Sequence, residues 1–500
     1  MPRAARWLSI AFVLSLSAGG PLPAQAPAAA DSLVAEWAAQ VLATGATPGM
    51  ALAVVRGDSI LLARGFGTAD LATGMPVTDA TRFYVASTTK ALTALAFAVL
   101  DRRGALRLDA ALATLLPGVR LHEGLDPRAI TLRDLLAMRS GIGDGPVVLR
   151  TAFTGEFTDS LLLALLAEHP PAEGGRAFRY SNIGFNVAGL ALERRRRRPW
   201  HEVVRETVLE PLGMSGTTAR ISTVPAHRLA MPHDLVEGRV ARIALLKSDR
   251  TMHAAGGHVL TADDAARFLL AQLNGGRVRG RRGVPAEAVA LTHRPNTPQD
   301  RDFSFVHRTG WGIGWDIATY DGMTLLQRNG GFAGYYSHLS FMPDSNVGVA
   351  VFANGGLDAS ASEAVAQGVY DLLLGRRDLA ALAPRRDSLV AELARAMARS
   401  RARADSARVP LPAPPPRLFG TFRNASLGTL ALEGGADALV VRVGDSWSLA
   451  RGVAGPDGRP LPDALAASVL GGRQRFTLGF APDGRVREVT VRDFTFRRVE

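Results

Sequence analysis

The segment Val85-Ala86-Ser87-Thr88-Thr89-Lys90-Ala91-Leu92 opens a stretch that stays apolar to about Asp101. Small polar residues heading such a stretch predict a buried helix from Ser87 to about Asp101. Side chains three residues apart share one helix face. The Ser87 hydroxyl and the Lys90 amine are therefore predicted to be neighbours at the N-terminal end of an interior helix. The chain must build a core around them. Its 500 residues, 47% hydrophobic and 21% charged, are sufficient for that.

The rest of the composition makes the lysine more telling. Of 58 basic residues 56 are arginine, and Lys90 and Lys247 are the two lysines. Arginine stays protonated, whereas a buried lysine can lose its proton. Burial and the positive end of a helix both disfavour the ammonium form. Lys90 is thus expected to serve as a base toward Ser87, the alternative being a capped helix with a solvated lysine. The arginine bias reads as a property of a GC-rich genome, so the net charge of +12 does not by itself point to nucleic acid. There is no cysteine, which excludes disulfides, a cysteine nucleophile, thiolate metal sites and a lipid-acylated cysteine. The histidine pairs His227/His233 and His253/His258 have no acid partner on a shared helix face, and no metal site is expected from them.

Two further segments carry candidate chemistry. Tyr180-Ser181-Asn182 lies between Gly174-Gly175 and the helix-like run Ile183–Leu192. A loop tyrosine can relay a proton, and an asparagine amide can hold a substrate carbonyl. A packed tyrosine beside an asparagine helix cap is the plainer reading. Arg328-Asn329-Gly330-Gly331-Phe332-Ala333-Gly334 is a glycine-dense strand, which permits close backbone approach to a substrate. Backbone N–H groups there, with that of Ser87, would form an oxyanion hole, and Arg328 would attract an acidic group. A β-bulge is the structural alternative.

Organisation along the chain is legible. Arg3 and Arg6, an apolar run from Trp7 and small residues near 24–30 read as a signal peptide over 1–30, implying a periplasmic or secreted protein. No later stretch is apolar enough for a membrane helix. Residues 31–376 show mixed α/β content, with a hairpin at Ala51–Val55 and Ser59–Ala63 and helix-capping signals at Thr131–Asp134 and Thr261–Asp264. Residues 377–416 form a linker: a helix over Arg385–Arg403, then the stiff Pro-rich stretch 410–416. Residues 417–500 alternate in short segments and predict a small all-β barrel or sandwich.

These segments, in this order, resemble the serine β-lactamase and penicillin-binding-protein superfamily, most closely its class C β-lactamase, D-Ala-D-Ala carboxypeptidase and family VIII esterase branch. The resemblance spans residues 31–376. Pro48-Gly49-Met50-Ala51, Gly65-Phe66-Gly67, Pro211-Leu212-Gly213-Met214, Gly256-Gly257, Gly310–Trp315 and Met342-Pro343-Asp344 extend it. It implies an α+β fold, an antiparallel sheet flanked by helices with a helical subdomain. It also implies acyl-enzyme hydrolysis without cofactor or metal. Ser87 would be the nucleophile, Lys90 its base and Tyr180 a proton carrier. Asn182 would bind the substrate amide or support Lys90. The Ser87 and Gly331 N–H groups, beside Gly330, would hold the oxyanion. Arg328 stands where the family has Lys or His; it keeps a charge for a substrate carboxylate but relays no proton.

The expected partner is a small-molecule or peptide substrate, cell-wall-derived peptide included: an ester, a D-amino-acid peptide or a β-lactam. The alternative is a non-catalytic binder of cell-wall peptide or of a protein partner on the same fold. A nucleic-acid or membrane-surface role ranks last. In the family frame Arg194–Arg198 falls on a solvated turn between helices. The C-terminal β-domain resembles accessory domains of such hydrolases and is assigned no catalytic role.

Overall fold

Strand β1 (Gly49–Arg56) is apolar on both faces, and its alternation divides the molecule. Ala51, Ala53 and Val55 enter one core, while Met50, Leu52 and Val54 enter another. A strand buried on both sides must lie inside a sheet covered by helices on each face. A computed structural model places it there. It describes residues 27–499 apart from 237, 245–246, 375–378 and 406–408. The signal-peptide reading falls almost wholly on residues 1–26, outside the described residues.

Next in the chain come β2 (Ser59–Asp70) and β3 (Met75–Pro76). The sheet is completed by β4 (Thr297–Phe303), β5 (Val306–Trp311), β6 (Asp316–Tyr320), β7 (Met323–Phe332), β8 (Tyr335–Met342) and β9 (Val347–Ala353). The order is β4-β5-β6-β7-β8-β9-β1-β2-β3, antiparallel throughout. The predicted hairpin is β1–β2. Helices α1 (Pro27–Ala43), α6 (Ser360–Leu373) and α7 (Leu379–Asp405) lie on one face. Trp37 of α1 donates its indole N–H to the Ala364 carbonyl of α6 at 3.1 Å. The other face carries α2 (Thr89–Arg102) and α5 (Ala262–Leu273), with α3 (Asp159–Glu168) and α4 (Ile183–Arg196) in a helical subdomain beyond. Every residue of α2 from Thr89 to Asp101 is buried.

Local signals meet different fates. Thr131 and Asp134 form a reciprocal capping box. Thr261 caps α5, but Asp264 turns instead to the Thr217 hydroxyl at 2.7 Å. Burial pushes its carboxyl up to about 6. The arginine run departs from the reading of a solvated turn. Arg194–Arg196 form the last turn of α4, where positive charge meets the negative end of the helix dipole. Arg197 closes the helix in the left-handed region, and Arg198 pairs with Glu202 and Glu206 at 2.9 and 2.6 Å.

The C-terminal domain is one nine-stranded antiparallel sheet running from Gly420–Asn424 to Phe494–Arg498. Ser468 N–H donates to the Ser448 hydroxyl at 3.3 Å, tying the two ends of the sheet together around Leu430, Val441, Phe476 and Phe496. The Pro-rich stretch is docked: Leu411 and Ala413 pack on this core, and a side chain at Gly452 would overlap the Pro410 carbonyl. Leu149, from the larger body, enters the same core.

Beside it, Arg150 is 5% exposed. Its guanidinium donates to the Ser426 and Glu156 carbonyls at 2.5 Å each and to the Ala425 carbonyl at 3.2 Å. Removing that fork takes the donor from three partly screened carbonyls and empties the buried site of the guanidinium. Arg150→Met is expected to lower stability by roughly 3 kcal/mol in denaturant unfolding of the full chain, against a near-neutral change for the exposed Arg459→Met.

Candidate active site

The nucleophile candidate sits just ahead of α2, which begins at Thr89, two residues after the start at Ser87 that the sequence predicts. Ser87 lies in a 3-10 turn, Ala86–Thr88, that leads into α2, and Ala86 holds φ at +44°. The turn is fixed to the sheet. Thr88 Oγ1 donates to the Arg328 carbonyl at 3.2 Å, and Ser337 Oγ donates to the Val85 carbonyl at 2.8 Å. β7 passes so close that a side chain at Gly330 would overlap the Val85 carbonyl and the Ser337 hydroxyl, and would come within 3.0 Å of the Ser87 nitrogen. Gly331, the next residue, is exposed.

Lys90 is fully buried. Its Nζ lies 3.1 Å from Ser87 Oγ, 2.6 Å from Asn182 Oδ1 and 2.7 Å from the Ala255 carbonyl. No carboxylate is among these three. Burial pushes the amine below its ordinary range, and the charge of Arg328 acts in the same sense against the opposing pull of Tyr180. Tyr180 donates its hydroxyl to Ser87 Oγ at 2.7 Å. Burial alone would raise the phenol, but the charges of Lys90 and Arg328 outweigh it and leave it below its ordinary value.

The YSN segment is positioned by Asp144. Its carboxylate accepts Ile183 N–H at 3.1 Å and the Ser181 hydroxyl, supplying the cap of α4. Asn182 makes no cap and is released to Lys90. The Ala255 carbonyl is held by its surroundings: Ala255 N–H donates to Asn186 Oδ1 at 3.3 Å, and Thr93 Oγ1 donates to the Ala254 carbonyl at 2.9 Å.

Arg328 sits behind Tyr180. It is 5% exposed, 3.2 Å from Asp316, and stacked about 5 Å from the Tyr180 and Trp311 rings. Its charge is directed to Asp316 and to the electrostatics of the tyrosine and lysine. Trp311 is fully buried beside the Tyr180 ring, centroids 6.1 Å apart, its N–H donated to the Leu136 carbonyl at 3.0 Å. Ser87, Lys90, Tyr180, Asn182 and Gly330 thus converge, with Gly331 at the open edge. Sequence reasoning missed Asp144, Asp316 and the Ala255 carbonyl. Gly143-Asp144-Gly145 was the one available signal, an acid between glycines. Among the described residues no group of three or more His, Asp or Glu side chains is arranged to hold a metal.

The beta-lactamase family model matches residues 34–372. The chain belongs to the beta-lactamase family. It is 30% identical over 318 residues to penicillin-binding protein 4 of Amycolatopsis lactamdurans, covering 63% of this chain and 82% of that protein. The fold is similar to that of the D-amino acid amidase from Ochrobactrum anthropi SV3 (TM-score 0.59, 20% identity), covering 70% of this chain and all of that one. It is also similar to the octameric penicillin-binding protein homologue from Pyrococcus abyssi (TM-score 0.57, 19% identity), with 94% of this chain and 99% of that one covered. The superfamily is one of serine hydrolases. Among the described residues no helix is long and apolar enough to cross a membrane.

Lys247, the second lysine, is not part of the catalytic cluster. It is buried against the rings of Phe332, Phe153 and Tyr84 at 4.5, 5.4 and 5.6 Å and donates to the Ala152 carbonyl. Burial lowers its pKa to about 7. The unfolded chain then holds a proton that the folded chain lacks between about pH 7 and 10, so stability rises with pH across that window. Lys247→Met is expected to raise stability by on the order of 3 kcal/mol at pH 6, a gain that shrinks toward pH 10 in thermal unfolding followed across pH.

A second expectation concerns the strand. Gly330→Ala forces the Ser87 turn off β7 and is expected to cost about 1–3 kcal/mol of stability, measured by the same method, whereas Gly331→Ala makes only ordinary contact with the Tyr336 ring at 3.8 Å.

Proposed function

We propose that this chain is an exported serine hydrolase that forms an acyl-enzyme on Ser87 and cleaves an amide or ester bond, a D-amino-acid amide or peptide foremost. The reading takes residues 31–376 as the catalytic domain and 417–500 as the accessory domain. One observation carries it: Lys90 Nζ faces two fixed acceptors, Asn182 Oδ1 and the Ala255 carbonyl, with Ser87 Oγ as its third neighbour. A neutral amine has two N–H donors and one lone pair. With both donors engaged, the lone pair is directed at the serine hydroxyl, as a general base requires.

In this reading the Ser87 proton passes to Lys90 Nζ as Oγ bonds to the substrate carbonyl carbon. The Ser87 and Gly331 N–H groups receive the oxyanion. The carbonyl re-forms, the bond to the leaving amine or alkoxide breaks, and that group takes a proton from the Tyr180 hydroxyl, which recovers one from Lys90. Water then attacks the acyl carbon, gives up its proton through the same pair and releases the acid, restoring Ser87. Arg328 contributes charge and no proton transfer, which favours a lysine that is neutral at rest. The likeness to the D-amino acid amidase, together with Arg328 in place of Lys or His, favours an amide or ester substrate over a β-lactam.

The test is hydrolysis of D-phenylalanine amide and of p-nitrophenyl acetate by the mature chain. Ser87→Ala is expected to lower kcat at least 10³-fold with folding unchanged. Full turnover by that variant would refute the reading; absence of turnover in the wild type would favour the binding protein.

The pH profile follows from Lys90. Activity falls as pH drops through the pKa of its amine, so the ascending limb of kcat/KM lies below the ordinary lysine range. Arg328→Gln removes a charge that lowers that pKa and is expected to move the limb to higher pH, read from the profile on p-nitrophenyl acetate.

A further inference from the structure

A cavity of about 240 Å³ borders Met252, His253 and Ala254 but none of Ser87, Lys90, Tyr180 or Asn182. Val147, Leu162, Leu166, Val187, Leu190 and Trp200 are among the apolar residues of its wall. Of the described polar side chains that line it, Asn186 alone has a buried atom without a partner. Asn186, 9% exposed, lines it. The Asn186 Oδ1 accepts the His253 ring N–H at 2.9 Å and Ala255 N–H at 3.3 Å, which fixes the amide's orientation. Its Nδ2 is thereby left buried and without an acceptor. An unused N–H donor in an apolar surround favours any molecule that brings it an acceptor. Dry apolar cavities of about 150 Å³ already take up benzene, so this one has room for a body of about ten to twelve non-hydrogen atoms. On the rim Asp159 and Asp249 are paired with Arg194 and Arg220, and Arg250 with Asp445, beside Glu193. Among the described residues that rim offers an anion no unpaired cation.

The cavity wall is also the support of the catalytic lysine. Ala254 lines the cavity while its carbonyl receives Thr93, and the next carbonyl, that of Ala255, receives Lys90 at 2.7 Å. Asn186 ties the same segment from the cavity side.

We infer that this cavity is an effector site for a small, uncharged, largely apolar molecule bearing one hydrogen-bond acceptor, whose occupancy alters catalysis by acting on the Met252–Ala255 wall. The binding half stands on the cavity alone. The effect on rate rests on the reading of Lys90 as base given under Proposed function.

The probes are 4-phenylbutan-2-one, which offers a carbonyl, and butylbenzene, which offers none. Ligand-observed NMR on the full chain is expected to show the ketone binding about three- to tenfold more tightly than the hydrocarbon, the factor one hydrogen bond supplies. Leu162→Trp fills the cavity away from the catalytic groups and is expected to weaken both probes at least tenfold; Leu166→Trp serves should that variant not fold. Saturating ketone is expected to change the rate of p-nitrophenyl acetate hydrolysis at least twofold in the wild type and not in the filled variant. Equal binding to wild type and filled variant overturns the site. Parity of ketone and hydrocarbon overturns the role given to Asn186. Binding with an unchanged rate, or an equal rate effect on the filled variant, overturns the effector role. A wild type that hydrolyses no ester fails the proposed function, and the NMR comparison still decides the site.

Discussion

A buried amine without a carboxylate is an unfavourable thing to build, and the catalytic half of this molecule is arranged around one. Lys90 bonds a hydroxyl, an amide oxygen and a peptide carbonyl, beside the Tyr180 and Phe185 rings at 5.1 and 5.7 Å. Each bonded group comes from a different part of the chain and each has its own support. Ser87 is held by the seam between the Ala86–Thr88 turn and the strands β7 and β8. Asn182 is free to reach the lysine because Asp144 takes over the capping of α4. Ala255 is held by Asn186 and by its neighbour's bond to Thr93. Take away a support and the balance shifts: water that enters raises the amine's proton affinity toward that of an ordinary lysine, whereas an acceptor that is lost lowers it further.

The sequence made the Ser87–Lys90 pair legible because the information was local. Ser87 and Lys90 are three residues apart at the head of an apolar helix, and the scarcity of lysine singled the second one out. The two-sided burial of β1 was visible in its unbroken apolar run. What stayed hidden depends on long-range partners. Asn182 read more plainly as a helix cap than as a functional amide, because the choice is made by Asp144, 38 residues earlier. Arg328 read as a site for a substrate acid, because Asp316 approaches it only across adjoining strands. The Arg194–Arg198 run read as a loop, because its helical character comes from the packing of α4 and its charges are met by acids on the following helix and on α3. The Pro-rich stretch read as a spacer, and its docking needs the flat strand surface that Gly452 provides.

The C-terminal domain is fastened to the catalytic body at a consequential place. Arg150 enters the turn at Ala425–Ser426, Thr154 accepts the Asp445 N–H at 2.8 Å, and Asp445 accepts the Ser248 hydroxyl at 2.6 Å. Between these anchors, Phe153 stacks on Phe332 at 5.5 Å, one residue beyond Gly331. A side chain on Gly471 of the β-domain would strike that same Phe153 ring. Two rings therefore connect the accessory domain to the strand that borders Ser87, and Lys247 lies against both of them.

The strand order carries an implication for how the chain matures. β1 pairs on one side with β2, its neighbour in sequence, and on the other with β9, where Val54 meets Val349. Nearly three hundred residues separate the two partners. The central ladder of the sheet stays open until almost the whole catalytic region has been synthesised, and closing so large a loop is slow compared with local hairpin formation. Until then β1 presents an unpaired apolar edge on which foreign strands can dock. The early part of this chain is thus the segment most open to mispairing, and its vulnerable period ends only when β9 arrives.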